Sequence, residues 1–388
     1  MKPPPRSFED AEFESRCCKV QVAMQQAGVG ALLLTSEPEI RYFTGFMTQF
    51  WQSPTRPWFV VIPLSGKPIA VIPSIGMPLM RQCYVDKLVS WASPDEHDDG
   101  ITLLADVIRQ HITKDAVLGM LMGRETAVRM PLKDLFALKK SLGGIALHDM
   151  TAAIQRIRMV KSPAEQVKLR YICGIVSDVF AQVPKWLQAG MPLDDCFRKF
   201  KIDALQSGVD DVNYLVGAAG AGGYDDIIAP PTSTPLAAGN VLMFDTGCVW
   251  DGYFSDFDRN YSIGPSTQDA QDAHKKLFDA TEAALAVLRP GIMAADLFTA
   301  MDKILRPDCS CGGDNVGRYG HGLGIQLTES PSHTAWDRTE IAAGMALTVE
   351  PSLNYGGKFT MVAEENILVH ENHIELLSHR APRDLPVI

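Results

Sequence analysis

The chain has 388 residues, 46% of them hydrophobic and 21% charged, with a formal net charge of -10. This is the balance of a water-soluble protein with apolar material for more than one core. It lacks the long apolar run that would span a bilayer and the basic cluster that would grip phosphate backbones, so a membrane or nucleic-acid partner is not expected.

The first stretch, MKPPPRSFEDAEFESR, has no apolar segment of the kind an export signal needs, so a cytoplasmic location is expected. Eight cysteines scattered over a long chain fit reduced thiols. Cys309 and Cys311 stand close together but lack a second nearby pair, so they read as loop cysteines rather than metal ligands. Residues 10–28 and 101–112 carry apolar positions three and four apart and predict helices. Between them, ALLLTS, WFVVIPL and IAVIP are short apolar runs bounded by turn residues, and predict strands. The first part of the chain is therefore an α/β unit of about 150 residues.

In RMVKSPAEQ, Ser162, Pro163 and Glu165 have the order of a capped helix start: a hydroxyl at the N-cap, proline in the first turn and an acid at the third position. We place a domain boundary just before it, giving domains 1–157 and 158–388. Helices are predicted at 192–207, 266–288 and 294–305, and strands at 241–247, 253–262, 345–350 and 361–370. Helices and strands fall in separate blocks, as in an α+β fold.

The stretch VLMFDTGCVWDGYFSDFDRNYSIG sets acids into a hairpin. Val241 to Phe244 is unbroken apolar, Asp251-Gly252 is a turn pair, and the following run alternates. Alternation puts Phe254, Asp256, Asp258 and Asn260 on one face. A turn centred on Asp251 and Gly252 sets Asp245 opposite Asp258, and one centred a residue earlier sets it opposite Asp256; pattern alone leaves both open. Carboxylates so close repel, and burial raises their pKa values, so a divalent cation between them resolves the conflict. A solvent-facing acidic hairpin is the alternative.

Three more stretches have this character. GRYGHGLG frames His321 with glycines. MALTVEPSL ends an apolar strand on Glu350. FTMVAEENILVH sets Glu364 and Glu365 into a strand, where alternation sends one inward and one outward. Carboxylates from several strands with one imidazole make a ligand set suited to a pair of Mn, Co, Fe or Zn ions.

With these motifs in this order, the chain resembles the creatinase, prolidase and methionine aminopeptidase family of pita-bread metallopeptidases over nearly its whole length. The resemblance rests on FDTGCVWDGYFSDFDRN, GHGLG, VEPSL and EENILV. EIRYFTGF and RMVKSPAEQ resemble the N-terminal domain and junction of the creatinase and prolidase branch. It implies a C-terminal pita-bread catalytic domain after a smaller α/β domain, and two divalent ions held by Asp245, Asp256, His321, Glu350 and Glu364. Glu365 is the fallback for Glu364, and the resemblance prefers Asp256 to Asp258, which is left as a further acid near the substrate. The implied chemistry is amide hydrolysis by metal-activated water, as in Xaa-Pro aminopeptidases and prolidases, with Glu350 as a proton carrier and a homodimer as the assembly.

Two histidines usual in these peptidases have no counterpart. One corresponds to Ala229 or a neighbour. The other lies seven residues beyond His321, where this chain has Thr328. Thr328 offers one hydrogen bond, and His333 is a candidate replacement unless it is a surface-loop residue. The departure keeps two alternatives: an enzyme of the same family acting on a small non-peptide molecule, such as an ectoine-type hydrolase or a dimethylsulfoniopropionate lyase, and a non-catalytic pita-bread binding protein. In TQFWQSPTRPWF, Arg56 is a candidate for a substrate carboxylate and Trp51 and Trp58 for an apolar or cationic substrate group, in a domain that reaches a partner's site in dimeric relatives.

Overall fold

The computed structural model describes residues 2–53, 56–112, 116–307 and 317–388. Cys309 and Cys311 lie outside the described residues. The chain divides into two compact units, Pro5–Arg158 and Met159–Ile388, the latter together with Met1–Pro4.

In the first unit, six strands among the described residues form one mixed sheet in the order Lys87–Trp91, Ile69–Pro73, Phe59–Pro63, Val29–Leu34, Val117–Met120, Leu147–Asp149. Three of them, Val29–Leu34, Phe59–Pro63 and Ile69–Pro73, are buried at every position. This is why they read as continuous apolar runs rather than alternating ones. The amphipathic helix Ile101–His111 lays Leu104, Ala105 and Ile108 against Ala31, Leu33, Phe59 and Val61. Asp10–Gln26 forms the other helix expected from spacing.

The second unit opens on the helix Pro163–Phe180. Ser162 accepts the Glu165 amide and Glu165 accepts the Ser162 amide, so the expected capping box is present. Such a cap is worth about 1 kcal/mol. Helices Leu193–Ser207, Gln268–Val287 and Ala294–Leu305 follow the predicted spans closely. Two sheets hold the acids. One centres on the long strand Asn240–Trp250, flanked by Asp211–Val216 and by the return strand Phe257–Ser262. The other runs Glu329–Ser332, His321–Gly322, Ala346–Val349, Glu365–Val369, Ile374–Leu376. No helix among the described residues is long and apolar enough to cross a membrane.

The hairpin turn decides the register. Asp251 (φ 48°) and Gly252 (φ 82°) are its two left-handed central residues, so Trp250 faces Tyr253 and Asp245 faces Asp258. Two predicted strands are interrupted. The return strand breaks at Ser255 and Asp256, and 361–370 splits into Phe359–Val362 and Glu365–Val369 with Glu364 in the gap. Both interruptions fall where an acid faces the site rather than a neighbouring strand.

Candidate metal centre

Asp256, His321 and Glu364 each bring one ligand atom into a cluster whose atoms lie within 4.8 Å of one another. His321 Nδ1 is 2.9 Å from the Gly322 carbonyl, which takes the ring proton and leaves Nε2 facing carboxylates. That nitrogen stands 3.4 Å from Asp256 Oδ2 and 3.7 Å from Glu350 Oε2. Asp245 joins from the neighbouring strand, with Oδ2 accepting a 2.6 Å bond from the Tyr214 hydroxyl.

The backbone beneath is tied across the two sheets. The Asp256 amide donates to Asn366 Oδ1 (2.9 Å) and the Asn366 amide group donates back to the Asp256 carbonyl. The His321 amide donates to Thr348 Oγ1 at 3.0 Å. Gly320, at φ 136°, has the His333 ring so near that an added Cβ would meet Nδ1 at 2.4 Å. The glycine before His321 is thus required by a close approach as well as by its dihedral.

The donors fit a cation. Asp245 Oδ1 and Glu364 Oε1 are buried without a hydrogen-bond partner, the condition a buried carboxylate cannot hold as an anion without compensation. Burial, then the neighbouring carboxylates, push Asp256 and Glu364 well above the usual range. Burial raises Asp245 to about 7 despite the Tyr214 bond that lowers it. Glu365 differs although it is also buried, which corrects the expectation that one of the pair points outward. Its carboxylate already has Arg259 Nη2 (3.0 Å), Arg380 Nη1 (3.1 Å), the Ala381 amide (2.8 Å) and Ser378. Glu364 is the one left needing a charge.

These raised values carry a linkage sign. A carboxyl whose folded pKa exceeds its unfolded value stabilises below the unfolded value and loses that contribution as pH rises through the folded one. Metal-free protein is therefore expected to lose stability from about pH 4 through about pH 7, the window set by Asp245. A divalent ion displaces the same protons. Calorimetric titration of Mn²⁺ into metal-free protein at pH 6, in buffers of different ionisation heat, should show protons released on binding, and fewer at pH 8. An enthalpy independent of the buffer would show that these carboxyls do not hold the protons.

Other predicted residues fall elsewhere. Asp258 is buried opposite Asp245 and takes a 3.0 Å bond from Asn260, as closed to solvent as Asp256 itself. His333 is fully buried with neither ring nitrogen hydrogen-bonded, and burial pushes its pKa down to about 3. It is not a surface-loop residue; it is a neutral ring packed behind Gly320. Trp51 and Trp58 are core aromatics of the first unit, 7% and 2% exposed and packed on Phe46. The cation over Trp51 is the chain's own Arg129, so the rings do not offer their faces to a ligand within this chain. Arg56 is half-buried, and its carbonyl accepts from Arg129. Ala229 is half-buried, and its carbonyl accepts from Gly217.

Sequence reasoning missed three residues. Tyr214 and Asn366 act across long stretches of chain and left no local signal. Arg318 did leave one, standing three residues before His321. Its Nη2 is 3.4 Å from Thr328 Oγ1, its Nη1 is 3.5 Å from Ser332 Oγ, and its Nε is 3.8 Å from Glu350 Oε1.

Residues 167–371 match the family model Metallopeptidase family M24, and residues 16–160 match the Creatinase/Prolidase N-terminal domain. The chain is 25% identical to the probable dipeptidase PepE of Mycobacterium bovis over 99% of this chain and 98% of that one. Its fold matches the crystal structure of dipeptidase PepE from Mycobacterium ulcerans with a TM-score of 0.84, at 26% identity, covering 98% of this chain and 99% of that one. A recombinant prolidase from Thermococcus sibiricus matches with a TM-score of 0.87 at 22% identity, covering 98% of this chain and 100% of the other.

Proposed function

The chain belongs to metallopeptidase family M24, and from that premise we propose that it is a dinuclear metal-dependent dipeptidase. Two divalent ions, Mn, Co, Fe or Zn, would be held by Asp245, Asp256, His321, Glu350 and Glu364. The observation that carries this reading is the pair of buried, unpartnered carboxylate oxygens on Asp245 and Glu364, beside the Asp256, His321 and Glu364 cluster. Four carboxylates and a neutral imidazole balance two divalent charges. Bound there, the ions would acidify a water and polarise an amide carbonyl.

The chain's own residues do the rest. Glu350, at 20% side-chain exposure, is more open than Asp256 or His321 and is suited to carry a proton from the attacking water to the leaving nitrogen. Tyr214 holds Asp245 in one orientation, and the Gly322 carbonyl does the same for the His321 ring. Dipeptides are the substrate class because the PepE relatives are described as dipeptidases across nearly the whole chain. Residues 158–388 carry the chemistry in this reading, and the homodimer, the cytoplasmic location and an Arg56 contact to the substrate carboxylate belong to it.

A second reading, a small non-peptide substrate, is favoured by one observation: threonine at 328. One experiment separates the two. Mn-loaded protein is assayed for amino-acid release from a panel of Xaa-Pro and non-proline dipeptides, with a chelated control. Chelator-sensitive release is the expected result; no release from protein verified to hold metal overturns the dipeptidase reading in favour of the second.

A further inference from the structure

We propose that Arg318 is a catalytic residue of this site, donating hydrogen bonds to the substrate's carbonyl oxygen as it gains negative charge. This rests on the dipeptidase reading and adds to it a residue for the donor position that Thr328 leaves weak.

The placement is specific. The guanidinium lies between Thr328 Oγ1 at 3.4 Å and Glu350 Oε1 at 3.8 Å, with Ser332 Oγ at 3.5 Å from its other terminal nitrogen. It therefore stands between the threonine and the candidate proton carrier. From Glu350 the chain of contacts continues to His321 Nε2 at 3.7 Å and on to Asp256 at 3.4 Å.

Accessibility points the same way. The Asp256 and His321 side chains are 6% and 4% exposed, whereas Glu350 and Arg318 are 20% and 30% exposed. The acids and the imidazole form the closed floor, while Arg318 and Glu350 form an open edge that a substrate can reach. Arg318 also projects from anchored backbone. The next residue, Tyr319, donates its amide to the His333 carbonyl (2.9 Å) and accepts the Glu350 amide (3.1 Å). The Tyr319 ring stacks on Phe298 with centroids 4.8 Å apart. A donor fixed before reaction costs little reorganisation when charge develops.

The step balances without a proton from arginine. Water adds through oxygen to the amide carbon, and the C=O π pair moves onto the carbonyl oxygen, where the Arg318 N–H groups meet it. The pair then re-forms the double bond, the C–N bond breaks, and the leaving nitrogen takes the proton that the water gave up. Arg318 only donates hydrogen bonds and gives up no proton in either half of the step.

The test uses Arg318→Met and Arg318→Lys in the metal-loaded full chain, with metal content and melting temperature measured beside the wild type. With a dipeptide that the wild type cleaves, Arg318→Met should lower kcat by about 10² to 10³ while KM stays within about threefold. Arg318→Lys, a point charge without the fork, should recover part of that loss. A phosphinate dipeptide isostere, whose tetrahedral oxyanion imitates the charged state, should bind Arg318→Met more weakly by a similar factor in calorimetry. Unchanged kcat, a rise in KM alone, or loss of metal in step with activity would each overturn the assignment. Wild-type protein that cleaves no dipeptide yet binds the phosphinate through Arg318 would overturn the dipeptidase reading and the catalytic assignment with it, leaving Arg318 as a binding residue for a tetrahedral oxyanion. Wild-type protein that does neither overturns both.

Discussion

Asp256→Asn should lower the activity of metal-loaded protein by about 10³ or more and, in the metal-free protein at pH 8, raise the melting temperature by a few degrees. The two effects have one cause. Asp256 is buried among Asp245, Glu350 and Asp258, and burial followed by those charges drives its carboxyl well above the usual range. With a divalent ion present, that negative charge is what the site needs. Losing a ligand oxyanion removes several kcal/mol of Lewis-acid stabilisation, and each 1.36 kcal/mol is a factor of ten in rate. Without the ion the same charge is a liability, and an amide of equal size relieves it. The backbone bonds between Asp256 and Asn366 do not involve the side chain that changes, so the hairpin should keep its place. Metal analysis, steady-state rates and melting curves at pH 8 and pH 5 make the check. The stability gain should shrink at pH 5, because carboxyls raised above their usual range take up protons as pH falls. A metal-free variant less stable than wild type at both pH values would show that Asp256 is there to hold the fold.

The same conflict explains why the site could be read from the chain and where that reading stopped. Acids set into apolar strands are costly enough to need a reason, so Asp245, Asp256, Asp258, Glu350, Glu364 and Glu365 stood out by type and place, and the family resemblance rather than the pattern preferred Asp256 and Glu364. The faces could be read as well, since a period of two fixes which side chains share a side. Register could not, because a turn one residue earlier preserves the pattern; the left-handed Asp251 and Gly252 settle it in space. Nor could Glu364 be told from Glu365 by alternation. Both are buried, and the difference lies in Arg259 and Arg380, which are 106 and 15 positions away from Glu365. Trp51 and Trp58 misled for a related reason: an arginine near two tryptophans has the composition of a ligand cage, but apolar burial within the unit takes the rings first. His333 looked like a loop residue because local sequence does not reveal that its ring is buried against Gly320. Arg318 was in plain view, but its meaning depends on Thr328 and Glu350, which only folding brings beside it.

Lys161→Met should strongly destabilise the second unit, costing about 3 to 5 kcal/mol, the range for breaking a buried ion pair by removing one partner. Lys161 Nζ lies 2.7 Å from Glu329 Oε2, and their side chains are 1% and 5% exposed. Glu329 is more than a counter-charge. Its other oxygen accepts the amides of Ile325 (3.0 Å) and Gln326 (3.2 Å), and an added Cβ at Gly324 would meet the carboxylate at 2.8 Å. The carboxylate thereby closes the turn that runs from His321 to Thr328, and its strand pairs back on His321 itself. Without the lysine, that carboxylate loses the buried cation it pairs with. Adding Glu329→Gln separates charge from geometry, because the amide carbonyl can still accept both backbone N–H groups while carrying no charge. The double variant should regain at least half of the lost stability. Chemical denaturation of the two single variants and the double variant, beside wild type, gives the coupling directly. If Lys161→Met costs less than about 1 kcal/mol, or if the double variant is no better than the single, the turn is held by its backbone bonds and the lysine is incidental. If the double variant recovers stability but still binds metal poorly, the charge pair also orients His321, and the turn links the fold of this unit to its metal centre.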